Sequence, residues 1–410
     1  LNFVSAKAKQ LLSGKEQQYL SCSVLAWWSQ RSFPNLPAFR LLLKTFLISF
    51  SIHYIILNPT MPLPTHSLSK TTFMYGCQCH KRLWLHKKKP SLKDAMSVEQ
   101  EQRFEQGTNV GILAQSLFPN GVDASPTNPW SYKQSVADTA KYIRNGHQII
   151  YEAAFQYNGI LCAVDILIKT AKGWVAYEVK SSLSVKDTHV DDAALQYHVL
   201  SNSEIILSDF AIVHLNKNYI RQGALELRKL FYPVSVLQRI LPLQSTVAKN
   251  AEVFQSLLLA DMVPDVVVGD QCFSPFPCDF LQHCHQGLFK IPEAVPAPPI
   301  INFEYPVHFL EIGIVRNAVP QKDGDWPYKS NIISYKISKQ SSQESITDVL
   351  REEFEQNNLD SCLEMINTLQ DAAMIVVQDT RQMYYLLEDL KKAMPQEKER
   401  IVVIQQKLIN

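Results

Sequence analysis

The sequence predicts an α/β protein in two parts, a larger one organised around a strand hairpin and a smaller one beyond a proline-rich break. Three observations lead there. Residues 160–182, I-L-C-A-V-D-I-L-I-K-T-A-K-G-W-V-A-Y-E-V-K-S-S, place β-branched and aromatic residues on both sides of a glycine-containing turn at 170–173. Helix-like and strand-like stretches alternate on either side of that hairpin. The run I-P-E-A-V-P-A-P-P-I at 291–300 has the composition of a linker, and about a hundred residues of renewed α/β alternation follow it.

A chain of 410 residues has room for two or three cores. It divides into an extension at 1–60, a main domain at 61–290, the linker at 291–300 and a small unit at 301–410. The apolar share, 46%, is ordinary for a globular protein, and a net charge of +1 gives no global signal for nucleic acid. The extension begins on Leu1, and its apolar stretch at 41–57 carries Lys44 and His53, which makes it short and impure for a membrane span. That stretch also lies too far into the chain for a signal peptide. The expectations are a native start at Met61, no stable membrane association and a cytoplasmic location.

In chain order, a Ser or Thr N-cap after residue 66 opens a helix that Pro90 should end. Residues 97–118 have helical spacing, with Phe104, Ile112, Leu113 and Leu117 available for a core face and Gly111 permitting close packing. A helix at 138–146 leads to a strand at 148–156, then to the hairpin, a helix at 188–201 and a strand at 205–215. Residues 225–259 read as mostly helical, interrupted near Pro233 and Pro242. The small unit is expected to hold strands at 307–315 and 331–337, helices within 345–369, a strand at 373–378 and a helix at 381–393.

Chemistry concentrates in the hairpin. Side chains alternate faces along a strand, so Asp165 points away from Val164 and Ile166, while Glu178 shares a face with Lys180. If Lys169 pairs with Trp174, Asp165 stands opposite Glu178. Facing carboxylates repel. A divalent cation reverses that cost, and hard ions such as Mg²⁺ prefer oxygen ligands. Asp165 followed by Glu178-Val179-Lys180 is the pattern of a metal-dependent phosphodiesterase, in which the cation acidifies a water and Lys180 orients it or stabilises added negative charge. Glu152 alternates onto one face of the preceding strand, where it either joins Asp165 or meets solvent.

Five of the eight cysteines fall in two clusters, Cys77 with Cys79, and Cys272 with Cys278 and Cys284. Clustered thiols in a large chain favour a metal centre over disulfides. The later three want a fourth ligand, with Cys79 the first candidate and Cys77 its rival, and four thiolates suit an iron–sulfur cluster or zinc. Cys22, Cys162 and Cys362 read as ordinary thiols. A basic run, Lys81, Arg82, His86, Lys87, Lys88 and Lys89, surrounds Trp84. It is either a phosphate-binding strip or a solvated helix end, and Trp84 either stacks a base or packs in a core.

Together, C-H-K-R-L-W, the E-A-A-F strand, D-I-L, E-V-K-S-S and the triple cysteine stand in the order seen in RecB-like nucleases of the PD-(D/E)XK superfamily. The chain resembles their iron–sulfur branch, which includes the CRISPR-adaptation nucleases, and within it a bacterial family that joins such a nuclease to an exonuclease-like C-terminal part. The resemblance implies a restriction-endonuclease-like core, a mixed sheet flanked by helices with an Fe–S cluster lock, plus a small truncated RNase H-like α/β unit. Residue by residue, it implies Asp165 and Glu178 as ligands of Mg²⁺ or Mn²⁺, Lys180 as the catalytic lysine and Gln196 with Tyr197 as the glutamine motif. It also implies Cys79, Cys272, Cys278 and Cys284 as ligands of a structural [4Fe–4S] cluster, with zinc the alternative. Lys81, Arg82, Lys87 and Lys88 would hold the DNA backbone.

Two departures stand out. G-T-N-V-G-I-L-A-Q lacks the metal-ligand His of many relatives, which shifts weight onto another group such as Glu152, and His80 replaces the usual Pro after the first cluster Cys. In H-F-L-E-I-G-I-V, Glu311 and Gly313 stand where the first strand of a DEDD exonuclease has Asp-x-Glu, so this part is expected to be catalytically dead. The expected function is metal-dependent hydrolysis of DNA, single-stranded or at ends. The rivals are a catalytically inactive nucleic-acid-binding or structural protein that keeps the cluster, and an iron–sulfur electron-transfer protein, which has no need of the Asp165, Glu178 and Lys180 arrangement.

Overall fold

The computed structural model describes residues 66–128, 131–203, 205–285, 304–342, 345–353 and 359–409. The expectations for 1–60, including the start at Met61 and the stretch at 41–57, and for the linker at 291–300 lie outside the described residues. The chain is a mixed α/β protein. It has a seven-stranded mixed sheet flanked by helices and a second, five-stranded mixed sheet.

The first sheet runs β2 (Val122–Asp123), β3 (Ile149–Tyr157), β4 (Ile160–Thr170), β5 (Gly173–Lys180), β6 (Leu207–Leu215), β7 (Phe231–Ser235), and a short β1 (Leu68–Ser69) also pairs with β4. β3, β4 and β5 form an antiparallel meander, whereas β5 and β6 are parallel and are joined through the helix Asp187–Ser201. Strand β7 lies within the stretch expected to be mostly helical. Pro233 fits there because β7 is the edge of the sheet, where a missing N–H costs no ladder bond on the open side.

The helix expected to run to Pro90 is two helices, α1 (Lys70–Gln78) and α2 (His80–Lys88), broken at Cys79. A capping box opens α1: Ser69 N donates to Thr72 Oγ1 at 2.7 Å, and Thr72 N donates to Ser69 Oγ at 3.3 Å. Cys79 then takes an extended conformation that turns the chain before α2 begins. Gly76 lets α1 press against α6 (Gln244–Leu259), since a Cβ there would stand 2.7 Å from the Phe254 ring.

Both faces of the sheet are covered. On one, α5 (Asp187–Ser201) packs Ala193, Leu195 and Val199 with Val164, Leu167, Ala176 and Phe210. On the other, α3 (Val98–Gln115) brings Val110 and Ala114 onto Ile166, Tyr177 and Val179. Leu113 and Leu117 join that core as expected, but Phe104 and Ile112 are exposed and Gly111 has open space beside it. The face of α3 is set by where β5 lies, which its own spacing did not disclose. The helix α4 (Tyr132–Arg144) is pinned to β3 by Ala154 N, which donates to Thr139 Oγ1 at 2.9 Å.

The second sheet is ordered β10 (Ser345–Glu353), β9 (Ser330–Ser342), β8 (Val307–Arg316), β11 (Met374–Val377), β12 (Leu408–Ile409). Helices α7 (Leu359–Gln370), α8 (Thr380–Ala393) and α9 (Lys398–Gln406) supply its core with Met365, Leu386, Leu387 and Ile401 against Leu310, Ile337 and Ile375. Residues 345–353, expected to begin a helix, form a strand because β9 extends far enough to pair with them. The connection between β8 and β9 ties the two sheets together. Ala318 joins the α3 core, and Arg221 Nη1 donates to the Pro320 and Gln321 carbonyls at 3.1 and 2.7 Å. Among the described residues no helix is long and apolar enough to cross a membrane.

Candidate functional site

The hairpin adopts the expected register, Lys169 opposite Trp174, but its ladder stops at Ile166↔Tyr177, one pair short of Asp165 and Glu178. There the sheet forks. The first residues of β4 turn to pair with β1, Leu68↔Ile160 and Ser69↔Leu161, while the end of β5 stays with β6 as far as Lys180↔His214. Asp165 bridges the gap with its side chain, and Oδ2 accepts from Val179 N at 2.5 Å. Opposite Asp165 on the other side, Glu152 has φ +51°, a left-handed conformation costly for a residue with a Cβ, and it interrupts the β3–β4 ladder between Tyr151↔Ile166 and Ala153↔Val164. Glu152 and Asp165 thus leave regular pairing at the level where Glu178, still paired with Ile212 on β6, loses its partner on β4.

The fork is filled by an ion network. Lys180 Nζ lies 2.7 Å from Glu178 Oε1 and 2.6 Å from Asp192 Oδ2. Lys70 Nζ, from the first residue of α1, lies 2.8 Å from the same Glu178 oxygen and 3.9 Å from Asp192. Gln196 Nε2 donates to Glu178 Oε2 at 2.8 Å, and Gln196 Oε1 is buried with no partner among the described residues. Glu178 is 2% exposed, so its charge depends on these donors. Burial works against its ionisation, but Lys180 and Lys70 outweigh it and hold the carboxyl far below the usual range. Asp165 lacks such partners: burial, then repulsion from Glu178, push it up to about 8, with Lys70 relieving only part. Glu152 is pushed up to about 7, first by burial and then by Glu178. Four carboxylates face two ammoniums here, and with Asp165 and Glu152 ionised the excess of two negative charges would match one divalent cation.

Two of these residues, Lys70 and Asp192, were absent from the expectations drawn from sequence. Asp192 precedes Gln196 by one helical turn on α5, a spacing that puts both on one face and could have flagged it. Lys70 is 108 residues from Glu178, and no local pattern announces it. Tyr197 is half-buried and packs against the apolar core of the first sheet, and no contact joins it to the acids of the fork among the described residues.

The donor set suits a hard cation, since every acidic group at the fork offers oxygen. Among the described residues no three His, Cys, Asp or Glu side chains stand close enough together to hold one metal ion. Mg²⁺ tolerates that arrangement, because one or two carboxylates plus substrate oxygens commonly suffice for it. Asp165 and Glu178 would hold the ion, with Glu152 within electrostatic reach of both.

Cys79, Cys272, Cys278 and Cys284 line one cavity, walled by Val266, Val267, Phe280 and Leu281, with no carboxylate among its lining. Cys77 does not line it and stays exposed. Cys79 reaches the cavity from the break between α1 and α2, so that break is what presents its thiol. An all-thiol donor set fits a soft centre, an iron–sulfur cluster or zinc. The same region is also tied by ordinary bonds: Arg82 Nε donates to Asp279 Oδ1 at 2.8 Å, and Gln78 Nε2 donates to the Gln271 and Phe276 carbonyls at 2.7 Å each.

The basic run is not one strip. Arg82 is buried, its guanidinium committed to Asp279 and Gln78 and laid over the Tyr75 ring, so it is not free to hold a phosphate. Lys81 lies at the cysteine cavity, Lys87 lines a separate cleft that reaches Asp165, and Lys88 is exposed. Trp84 is core, packed with Phe280 and donating Nε1 to the Ala260 carbonyl at 3.0 Å. In the second sheet Glu311 is exposed, paired in register with Lys336 on β9, and Gly313 offers no second carboxylate.

No protein-family model matches the sequence, and no curated protein matches it. Among solved structures it is similar to the crystal structure of SSO0001, at 14% identity over 59% of this chain and 96% of that one, with a TM-score of 0.29. A likeness that distant carries no argument about fold or function.

Proposed function

We propose that this chain is a metal-dependent nuclease that hydrolyses DNA phosphodiester bonds in single strands or at ends, on a restriction-endonuclease-like core. One observation carries the reading: the sheet opens where Asp165 and Glu178 face each other, and Lys180 stands beside them with its amine against Glu178. A divalent cation held by Asp165 and Glu178 would supply Lewis-acid chemistry, neutralising phosphoryl charge and acidifying water. The protein's own groups do the rest. Lys180, charged and anchored between Glu178 and Asp192, places a cation next to developing negative charge. Gln196 fixes the second Glu178 oxygen, so that the carboxylate keeps one orientation while the first oxygen is shared by two lysines. Lys70 adds a second ammonium on the side facing the open cleft.

In the same reading, Cys79, Cys272, Cys278 and Cys284 hold a structural iron–sulfur cluster, and the second sheet is an RNase H-like remnant without activity, since Glu311 stands alone at the surface. End-labelled single-stranded DNA incubated with Mg²⁺ or Mn²⁺ tests the proposal. Cutting should require the metal and vanish in Asp165→Ala. Binding without metal-dependent cutting would instead assign an inactive nucleic-acid-binding protein. A brown protein with broad visible thiolate-to-iron absorbance separates the cluster from zinc.

A further inference from the structure

The cleft beside Asp165 is acidic only at its floor. It measures about 630 Å³ and is lined by Asp165, Glu152 and Lys70, all half-buried. Its exposed lining includes Lys87 from α2 and Lys133 from α4, and His66 and the half-buried Tyr132 line it too. Lys70 is compensated by Glu178 and Asp192, but neither Lys87 nor Lys133 forms an ion pair with any described residue. Partial desolvation lowers the pKa of Lys87, and burial, followed by the Lys87 charge, holds His66 below its ordinary value. Gathering uncompensated cations in a cleft costs energy in the free protein and focuses the field on an incoming anion.

The floor points to a particular kind of anion. A free monoanion would meet Asp165 and Glu152, which repel it, whereas a chain of phosphates can lie on the cationic wall and cross the floor where a cation screens it. The volume falls in the range of about 300–1,000 Å³ typical of small-ligand sites, enough for about one or two unpaired nucleotides and too little for a duplex. Tyr132 lines the same cleft as Lys87 and Lys133, the pairing of aromatic and basic groups that binds unpaired strands.

We propose that this cleft receives the unpaired end of a DNA strand, with Lys87 and Lys133 holding the phosphates that flank the bond to be cut and Tyr132 stacking a base. The inference rests on the nuclease reading of the Asp165 site and adds to it the direction of approach and the residues that hold the strand. It also moves the nucleic-acid contact away from Lys81 and Arg82.

Fluorescence anisotropy of the full chain with labelled dT12 and with a blunt duplex of equal length, in EDTA at several salt concentrations, tests it. The double variant Lys87→Ala/Lys133→Ala should bind dT12 roughly tenfold more weakly and flatten the slope of log affinity against log salt by about 1.4, or about 0.7 for each single-strand phosphate that is no longer neutralised. Lys141→Ala, on the same helix but outside the cleft, should match wild type, and the duplex should bind more weakly than dT12. Unchanged melting temperature and Mn²⁺ binding in the double variant would show that fold and floor are intact. An unchanged affinity and slope in that variant, or a duplex bound as tightly as dT12, overturns the proposal. The two readings fail separately. Lysine-dependent dT12 binding without metal-dependent cutting defeats the nuclease and keeps the cleft, whereas undiminished cutting of single strands by the double variant defeats the cleft and keeps the nuclease.

Discussion

In the first sheet the β4–β5 ladder ends at Ile166↔Tyr177, and just beyond it Glu178 turns inward onto two lysines while Asp165 accepts from Val179 N. In the second sheet β8 and β9 stay paired from Val307↔Gln340 to Arg316↔Ser330, with a single irregularity at Gly313, and Glu311 remains at the surface. Strands β4 and β8, which carry Asp165 and Glu311, are alike in length, 11 and 10 residues, and both are mostly apolar. What separates them is whether neighbouring strands part. An acid on a continuous ladder has its side chain in solvent at little cost. Where strands diverge, side chains must satisfy the freed backbone groups, as Asp165 does for Val179, and the acids become buried and mutually repulsive. A fork gathers carboxylates in a buried place, and an unbroken ladder does not.

The largest effect that would sharpen this comparison is on activity. Asp165→Ala and Lys180→Ala should each lower metal-dependent cutting of labelled single-stranded DNA by at least about 10²–10³-fold, the scale of losing one preorganised charge partner. Glu311→Ala should leave the rate within about twofold. Equal losses at both sites would erase the distinction.

Stability comes next. Glu178→Ala strands Lys70 and Lys180 in a partly buried pocket, and breaking such a network should cost about 3–5 kcal/mol in urea unfolding. Glu178→Gln should cost less, because it keeps a hydrogen-bond acceptor for the lysines. The exposed Glu311→Ala should stay within about 0.5 kcal/mol.

The pH dependence is smaller and has a definite sign. Asp165 has its folded pKa raised to about 8 and Glu152 to about 7, both above their unfolded values. Over about pH 5–8 the folded state therefore binds more protons than the unfolded one, so stability without divalent ions should fall as pH rises. Each group contributes at most about 1.4 kcal/mol per pH unit. Glu178, depressed in the folded state, acts oppositely, and its contribution is lost only as pH falls below the ordinary carboxylate range. Mg²⁺ or Mn²⁺ should restore the stability lost at high pH, and Asp165→Asn should flatten the profile. A metal-free protein that grows more stable over this range would contradict the assignment.

Much of the fold was legible locally. The alternation of 160–182 and the glycine at 173 set the hairpin register, and with it the level at which Asp165 and Glu178 meet. Ser69 announced the start of α1 through the polar group that satisfies the first turn. The departures share a cause. Residues 345–353 became a strand because β9 offers them a partner, 231–235 became an edge strand because β6 does, and Phe104 and Ile112 faced solvent because the sheet lies on the other side of α3.

The sequence by itself determined which side chains share a strand face and where turns and caps fall, because those depend on periods of two or 3.6 residues and on turn chemistry within a few positions. Only the tertiary structure decided that β4 leaves β5 at Asp165, that Lys70 comes from a distant helix to stand against Glu178, and that Arg82 is spent on Asp279. Electrostatic partners reach across space with no fixed spacing along the chain, so a charge pattern gives the groups available but not the groups that meet.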